Sequence, residues 1–324
     1  MHVLITGGAG LLGTQLAGAL LARAELTNPQ GKVEPIERIT LFDQVPASGW
    51  NDARIESRVG DLTDAAAVAR LVTGQTGSIF HLAAIVSSHA EADYELGMRV
   101  NFDATRTLLD CARSRGGAPL RMVFTSSVAA FGGMLPAQVS DDTEARPQSS
   151  YGAEKVMGEI LLNDASRRGF VDARVLRMPT VVVRPGAPNK AASSFASSII
   201  REPLNGQAAV CPVPADTRLW LTSPRSAVAN LIHGHEIDAQ ALTGRRVVNL
   251  PGLSTTVSDM VAALGRVAGP EAVQRIRWEP DAAIMRIVNT WPGDFITERA
   301  DALGFVRDSS FDDIVRAHLA DSVK

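Results

Sequence analysis

The chain has 324 residues, of which 45% are hydrophobic and 21% charged, with a formal net charge of −3. That length suffices for one large domain with a lobe, or for two domains. The near-neutral balance and dispersed basic residues argue against nucleic acid or a membrane surface as partner. Cys111 and Cys211 are the only cysteines. Without C-x-x-C spacing or a histidine cluster nearby, they point to a reducing compartment and away from a zinc site, so no metal is expected. The apolar run at 11–24 is too short to span a bilayer and is interrupted by Gln15 and Arg23. The first strand enters a glycine loop directly, which leaves no room for a signal peptide. A soluble cytoplasmic protein is the expectation.

His2-Val3-Leu4-Ile5 reads as a buried parallel strand. Thr6-Gly7-Gly8-Ala9-Gly10-Leu11-Leu12-Gly13 follows, then a helical stretch over 14–23. Strand, glycine loop and helix in that order suit a dinucleotide pyrophosphate. Gly7 makes the tight turn, Gly10 admits the phosphates, and Gly13 lets helix and strand pack closely. Leu11 and Leu12 then offer backbone N–H groups at the positive end of the helix. The alternative is a turn that merely connects two elements.

Residues 26–37 read as an inserted loop or hairpin. Arg38-Ile39-Thr40-Leu41-Phe42-Asp43 is a second strand ending in an acid. Such an acid can accept both adenosine ribose hydroxyls and repels a 2′-phosphate. No Arg or Lys follows at once, so NAD is favoured over NADP. A third strand and its exit cover 54–62, where Asp61 either reaches the adenine amino group or caps a helix over 64–72. Leu62 follows it. The fourth strand, 78–84, ends in Leu82, Ala83 and Ala84, which are small enough at the end to lie against a flat cofactor. Ser87 and Ser88 are candidate substrate or phosphate contacts, and His89 is expected in a loop.

A long helix is expected over 91–115, with Asn101 in its packed middle implying a polar partner. The fifth strand, 120–127, has a hydroxyl-rich end with Ser126 and Ser127. Ser149 or Ser150 then caps a helix carrying Tyr151 and Lys155. Four residues apart, these two lie on one helix face. An ammonium beside a phenol favours the phenolate, bringing it towards useful general acid/base range. A sixth strand covers 171–180 and exits through Pro179 and Thr180. Strands alternating with helices indicate an α/β fold with a doubly wound parallel sheet. Gly7 to Gly13, Asp43, Asp61, Ala83, Ala84, Ser127 and Pro179 all fall at strand carboxyl ends, where such sheets bind ligands.

After Arg184 the pattern changes. Residues 185–190 read as loop, 193–201 as helix, 207–220 as short strands and turns, 247–250 as a returning strand, and 256–268 and 311–319 as helices. The expected organisation is a Rossmann-type dinucleotide domain over 1–182 plus a returning strand near 246–250. Segments 183–245 and 251–324 would form a smaller substrate lobe.

In their order, the glycine loop, Gly60-Asp61-Leu62, His81-Leu82-Ala83-Ala84, Val100-Asn101, Phe124-Thr125-Ser126-Ser127 and Tyr151-x-x-x-Lys155 resemble the extended short-chain dehydrogenase/reductase superfamily. The resemblance implies that Ser127 holds the reacting oxygen, Tyr151 transfers its proton, and Lys155 binds the nicotinamide ribose. Ser126 is the alternative serine. Glu154 departs from the small or hydroxylic residue common before the lysine. Nucleotide-sugar epimerases of the superfamily carry an acid and a histidine in the region matching 217–225, and both are absent here. That segment, Arg177-Met178-Pro179-Thr180, the Asn189-Lys190 loop and the insertion before the second strand look like the D-erythronate dehydrogenases. Those oxidise a four-carbon sugar acid at C2 with NAD. The resemblance thus implies a small sugar-acid substrate contacted by Ser87, Ser126, Ser127, Tyr151 and Thr180. Arg218 or Arg225 would hold its carboxylate bidentately. It also implies a homodimer through helices 91–115 and 151–168. A retained-NAD epimerase or dehydratase and a non-catalytic NAD sensor are the competing readings.

Overall fold

The computed structural model describes residues 1–186 and 191–322. The Asn189-Lys190 pair lies outside the described residues. Seven parallel strands form the central sheet: β1 (His2–Thr6), β2 (Arg38–Asp43), β3 (Ile55–Val59), β4 (Thr76–His81), β5 (Arg121–Ser127), β6 (Asp172–Met178) and β7 (Val247–Asn249). Their spatial order is β7-β6-β5-β4-β1-β2-β3, so the chain starts in the middle and winds outward both ways. This is the doubly wound α/β fold expected. β4 is buried at every position, because a central parallel strand is covered on both faces.

Side-chain alternation in β1 assigns the layers. Val3 and Ile5 pack with Leu16 and Leu20 of the helix Leu11–Arg23. Leu4 points to the other face, towards Leu108 and Leu162 of the helices Ala104–Ser114 and Ser150–Arg167. A third core joins Ile199 and Ile200 to Leu221, Met260, Leu264 and Ile314 in the C-terminal lobe. The excursion before β2 is an antiparallel hairpin, Glu25–Thr27 against Val33–Pro35.

Several expected elements take a different form. The long helix at 91–115 is broken. It begins as Ser87–Ala92, turns at Asp93, and carries a π-helical turn, Met98–Asp103, before Ala104–Ser114. His89 is therefore helical rather than in a loop. Asp64, not Asp61, caps the helix Ala65–Leu71, its side chain accepting from the N–H groups of Ala66 and Ala67. β6 stops at Met178 before Pro179. Thr180–Val181 then leaves for a separate three-stranded sheet with Arg218–Thr222 and Leu253–Thr256.

A helix at Pro224–Glu236 went unread in the sequence, although Ser223-Pro224 is an N-cap and first-turn proline. Its Ala227 and Leu231 pack on the sheet beside Leu16, not in the lobe. No helix among the described residues is long and apolar enough to cross a membrane.

Candidate active site

The carboxyl ends of the strands open onto one cavity of about 460 Å³. On one side it is lined by Gly7, Gly10, Leu11, Leu12 and Gly13, with Asp43, Asp61 and Leu62. Leu82, Ala83, Ala84 and Pro179 line its middle, and Ser87, Ser126, Ser127, Tyr151, Lys155 and Thr180 its far part. These residues span 174 positions of sequence (7 to 180), and only the winding of the sheet brings them together.

The glycine end is shaped by close approach. A Cβ on Gly13 would stand 2.2 Å from the Gly7 carbonyl oxygen, so no other residue lets the helix start so near the loop. Gly10 is the N-cap and brings no side chain to the helix's first N–H groups. The Asp43 carboxylate is held at the rim by the Ala9 N–H at 3.0 Å and the Gln44 N–H at 2.7 Å. Asp61 is exposed and accepts from the Thr63 N–H at 2.8 Å.

At the other end, Ser149 caps the helix Ser150–Arg167, its Oγ accepting from the Gly152 N–H at 3.2 Å. A Cβ on Gly152 would lie 2.1 Å from the Ala129 carbonyl oxygen. Glycine there lets the helix start rest on the turn Val128–Ala130, which Ser127 opens by accepting from the Ala129 N–H at 3.1 Å. Ser127 and Tyr151 line the same cavity, and the Ser127 hydroxyl favours the phenolate. Ser126 faces the other way. Its hydroxyl donates to Glu159, which is also clamped by Arg177 at 2.8 and 2.6 Å. The Ser126 hydroxyl is thus committed to a buried ion pair, although the residue borders the cavity.

Lys155 is buried, its Nζ 4.7 Å from the Phe124 ring centroid and 5.7 Å from that of Tyr151. Burial lowers its ammonium to about 8, against the carboxylates of Glu154 and Glu159, which raise it. Burial likewise pushes the Tyr151 phenol up to about 12. This is opposite to the lowering expected from the sequence. The Ser127 hydroxyl and the Arg184 charge do pull it down, but loss of water outweighs them.

Asn101 has its polar partners. It accepts from the Ile85 N–H at 2.8 Å, donates to the Ile85 carbonyl at 3.0 Å, and donates to Glu154 at 2.6 Å. The π-helical turn presents it, and the cavity wall at Ile85 is held as a result. Glu154 therefore fills a structural place in this wall. Ser87 is buried and accepts from the Ala192 N–H at 3.2 Å.

Arg218 and Arg225 do not reach the cavity. Both are exposed. Arg218 donates to Ser254 at 3.2 Å from the start of its strand, and Arg225 lies in the first turn of the helix that caps at Ser223. The arginine that lines the cavity is Arg184, with Trp291 from the lobe. Neither was singled out in the sequence. The only signal was the Val-Arg-Pro-Gly stretch, where an arginine precedes a loop.

Residues 3–220 match the NAD dependent epimerase/dehydratase family. The chain belongs to this family. It is an NAD-dependent dehydrogenase of that family, an oxidoreductase acting on a small molecule. It is 56% identical to a D-erythronate dehydrogenase of Cupriavidus necator, covering 99% of both chains. A D-erythronate dehydrogenase of Haemophilus influenzae is 46% identical over 98% of both. Among solved structures, a nucleoside-diphosphate-sugar epimerase from Agrobacterium tumefaciens superposes with a TM-score of 0.92 at 44% identity, covering 100% of this chain and 94% of that one. The cradle left by Gly13 and the uncapped helix start fit a pyrophosphate, and the Asp43 carboxylate beside them fits a ribose diol. Among the described residues no group of three His, Cys, Asp or Glu could hold a metal.

Proposed function

We propose that the protein oxidises the C2 hydroxyl of D-erythronate to the 2-oxo acid, with NAD as acceptor. One observation carries this reading: Ser127, Tyr151 and Lys155 line the same cavity as the glycine loop and Asp43. The names of the two near-full-length relatives support the substrate. Gly7, Gly10, Leu11, Leu12 and Gly13 would hold the pyrophosphate, Asp43 the adenosine ribose, and Asp61 and Leu62 the adenine. Leu82, Ala83, Ala84 and Pro179 would bracket the nicotinamide end. An acid at position 43 disfavours a 2′-phosphate, which supports NAD over NADP.

A nicotinamide held there would supply the acceptor for the C2 hydride. Tyr151 as phenolate takes the hydroxyl proton, and Ser127 orients the oxygen that loses it. Lys155 holds the ribose beside them, and its charge favours the phenolate. A phenol standing at about 12 needs that help, together with the positive ring, before it works near neutral pH. Thr180 and Ser87 border the substrate end. Segment 1–182 with β7, joined by the helix Pro224–Glu236, carries the dinucleotide, and the rest of the C-terminal half closes the substrate side.

We also propose a homodimer through the helices Ser87–Ala92, Ala104–Ser114 and Ser150–Arg167, whose outer surface leaves Ile160 66% exposed. A reducing cytoplasm suits two free cysteines.

The deciding experiment follows NADH absorbance with purified enzyme. Growth with D-erythronate, and none with UDP- or dTDP-sugars, supports the reading. Conversion of a nucleotide sugar without net NAD reduction would instead establish the second reading, a retained-NAD epimerase. The name of the Agrobacterium structure favours that alternative.

A further inference from the structure

A guanidinium withdrawn from water is costly unless an anion neutralises it. Arg174, Arg177 and Arg201 obey this rule, paired with Asp172, Glu159 and Glu202 respectively. Arg184 lines the cavity with Tyr151 and Ser127, and it pairs with no carboxylate among the described residues. Its backbone is fixed on both sides. The N–H donates to Ser197 at 3.0 Å, and the carbonyl accepts from Arg201 at 2.6 Å. The guanidinium is thus presented from an anchored segment rather than a free loop end. Its charge favours the phenolate form of Tyr151, which lines the same cavity. The indole N–H of Trp291, which lines the same cavity, is withdrawn from water with no hydrogen-bond partner among the described residues.

We propose that Arg184 binds the substrate carboxylate, so that the cavity selects 2-hydroxy acids over neutral polyols of the same length. The inference rests on the dehydrogenase reading above and deepens it. The planar fork matches a carboxylate bidentately. Held there, C1 fixes C2, and the C2 hydroxyl is left to meet Ser127 and Tyr151. Arg218 and Arg225 are thereby released from this role.

The test compares wild type, Arg184→Gln and Arg184→Lys with two ligands, D-erythronate and its neutral primary amide. Binding is measured by calorimetry with NADH present, and turnover by NAD reduction. A charge-assisted fork lost to glutamine should weaken D-erythronate binding about ten- to a hundred-fold, with the amide and NADH bound as before. Arg184→Lys should recover part of the loss. The preference of wild type for acid over amide should vanish in Arg184→Gln. Unchanged D-erythronate affinity in both variants overturns the inference, as does a wild type that binds acid and amide equally. An equal fall in turnover of acid and amide, with a pH profile moved upward and binding intact, also overturns it, because Arg184 would then act only on the phenol. Lost binding in the variant alongside a wild type that never reduces NAD would sustain the anion site and remove the dehydrogenase reading instead.

Discussion

Replacing Gly13 by alanine tests the nucleotide end of the site most directly. The new Cβ would sit 2.2 Å from the Gly7 oxygen, 2.8 Å from Gly8 Cα and 3.0 Å from the Gly7 carbonyl carbon. All three neighbours are backbone, so none can rotate away. Relief to ordinary contact requires the helix start and the loop to part by about 1 Å. That displacement carries the N–H groups of Leu11 and Leu12 with it, and a hydrogen bond to a phosphate does not survive such a change. Bonds to charged groups contribute about 1.5–3 kcal/mol each, so losing one weakens NAD binding about ten- to a hundred-and-fifty-fold. The strain adds about 1–3 kcal/mol of destabilisation. NADH titration by fluorescence gives the affinity, and thermal unfolding without ligand gives the stability. Gly18→Ala is the control, since its Cβ would meet nothing nearer than 3.8 Å. If Gly13→Ala bound NADH within twofold of wild type and melted at the same temperature, the crowding argument would fail, and with it the glycine cradle.

Tyr151→Phe should lower kcat about 10²–10⁴-fold while NADH affinity stays within twofold, because only the transferable proton is lost; near-normal turnover would refute its role. Two buried histidines contribute to the loss of stability in acid. Burial depresses His81 to about 3 and His235 to about 4 from 6.5, though the Glu236 carboxylate partly opposes the fall at His235. The unfolded chain takes up these protons from about pH 6.5 downward while the fold refuses them. The stability they contribute is therefore full above 6.5 and is lost as pH falls from 6.5 to about 3 for His81 and about 4 for His235, at about 1.4 kcal/mol per pH unit for each. Denaturant unfolding between pH 7 and 5 should show stability falling with pH, and His235→Gln should reduce that slope by up to about 1.4 kcal/mol per pH unit; an unaltered slope in the variant contradicts the assignment. Sedimentation velocity should give twice the single-chain mass, and Ile160→Glu should shift it towards the monomer. A wild type that sediments as a monomer ends the dimer proposal.

Much of this protein was legible in its residues alone. The short continuous apolar runs, the glycine loop opening a helix, and the acid or small residues ending strands are local signals, and parallel strands deliver their ends to one edge. The order of motifs therefore determined the α/β fold and most of the cavity lining, from Gly7 to Thr180. Tertiary structure decided which face a side chain meets. Ser126 and Ser127 are neighbours, yet alternation along β5 sends one to the Glu159–Arg177 pair and the other to the cavity that Tyr151 lines. No local pattern separates Arg184 from Arg218 and Arg225. Their difference lies in where the chain runs after Pro179, which sets one guanidinium into the cavity and leaves two in water. The direction of the Tyr151 shift likewise depends on how much water the folded chain removes, a quantity that exists only once distant segments have closed over the ring.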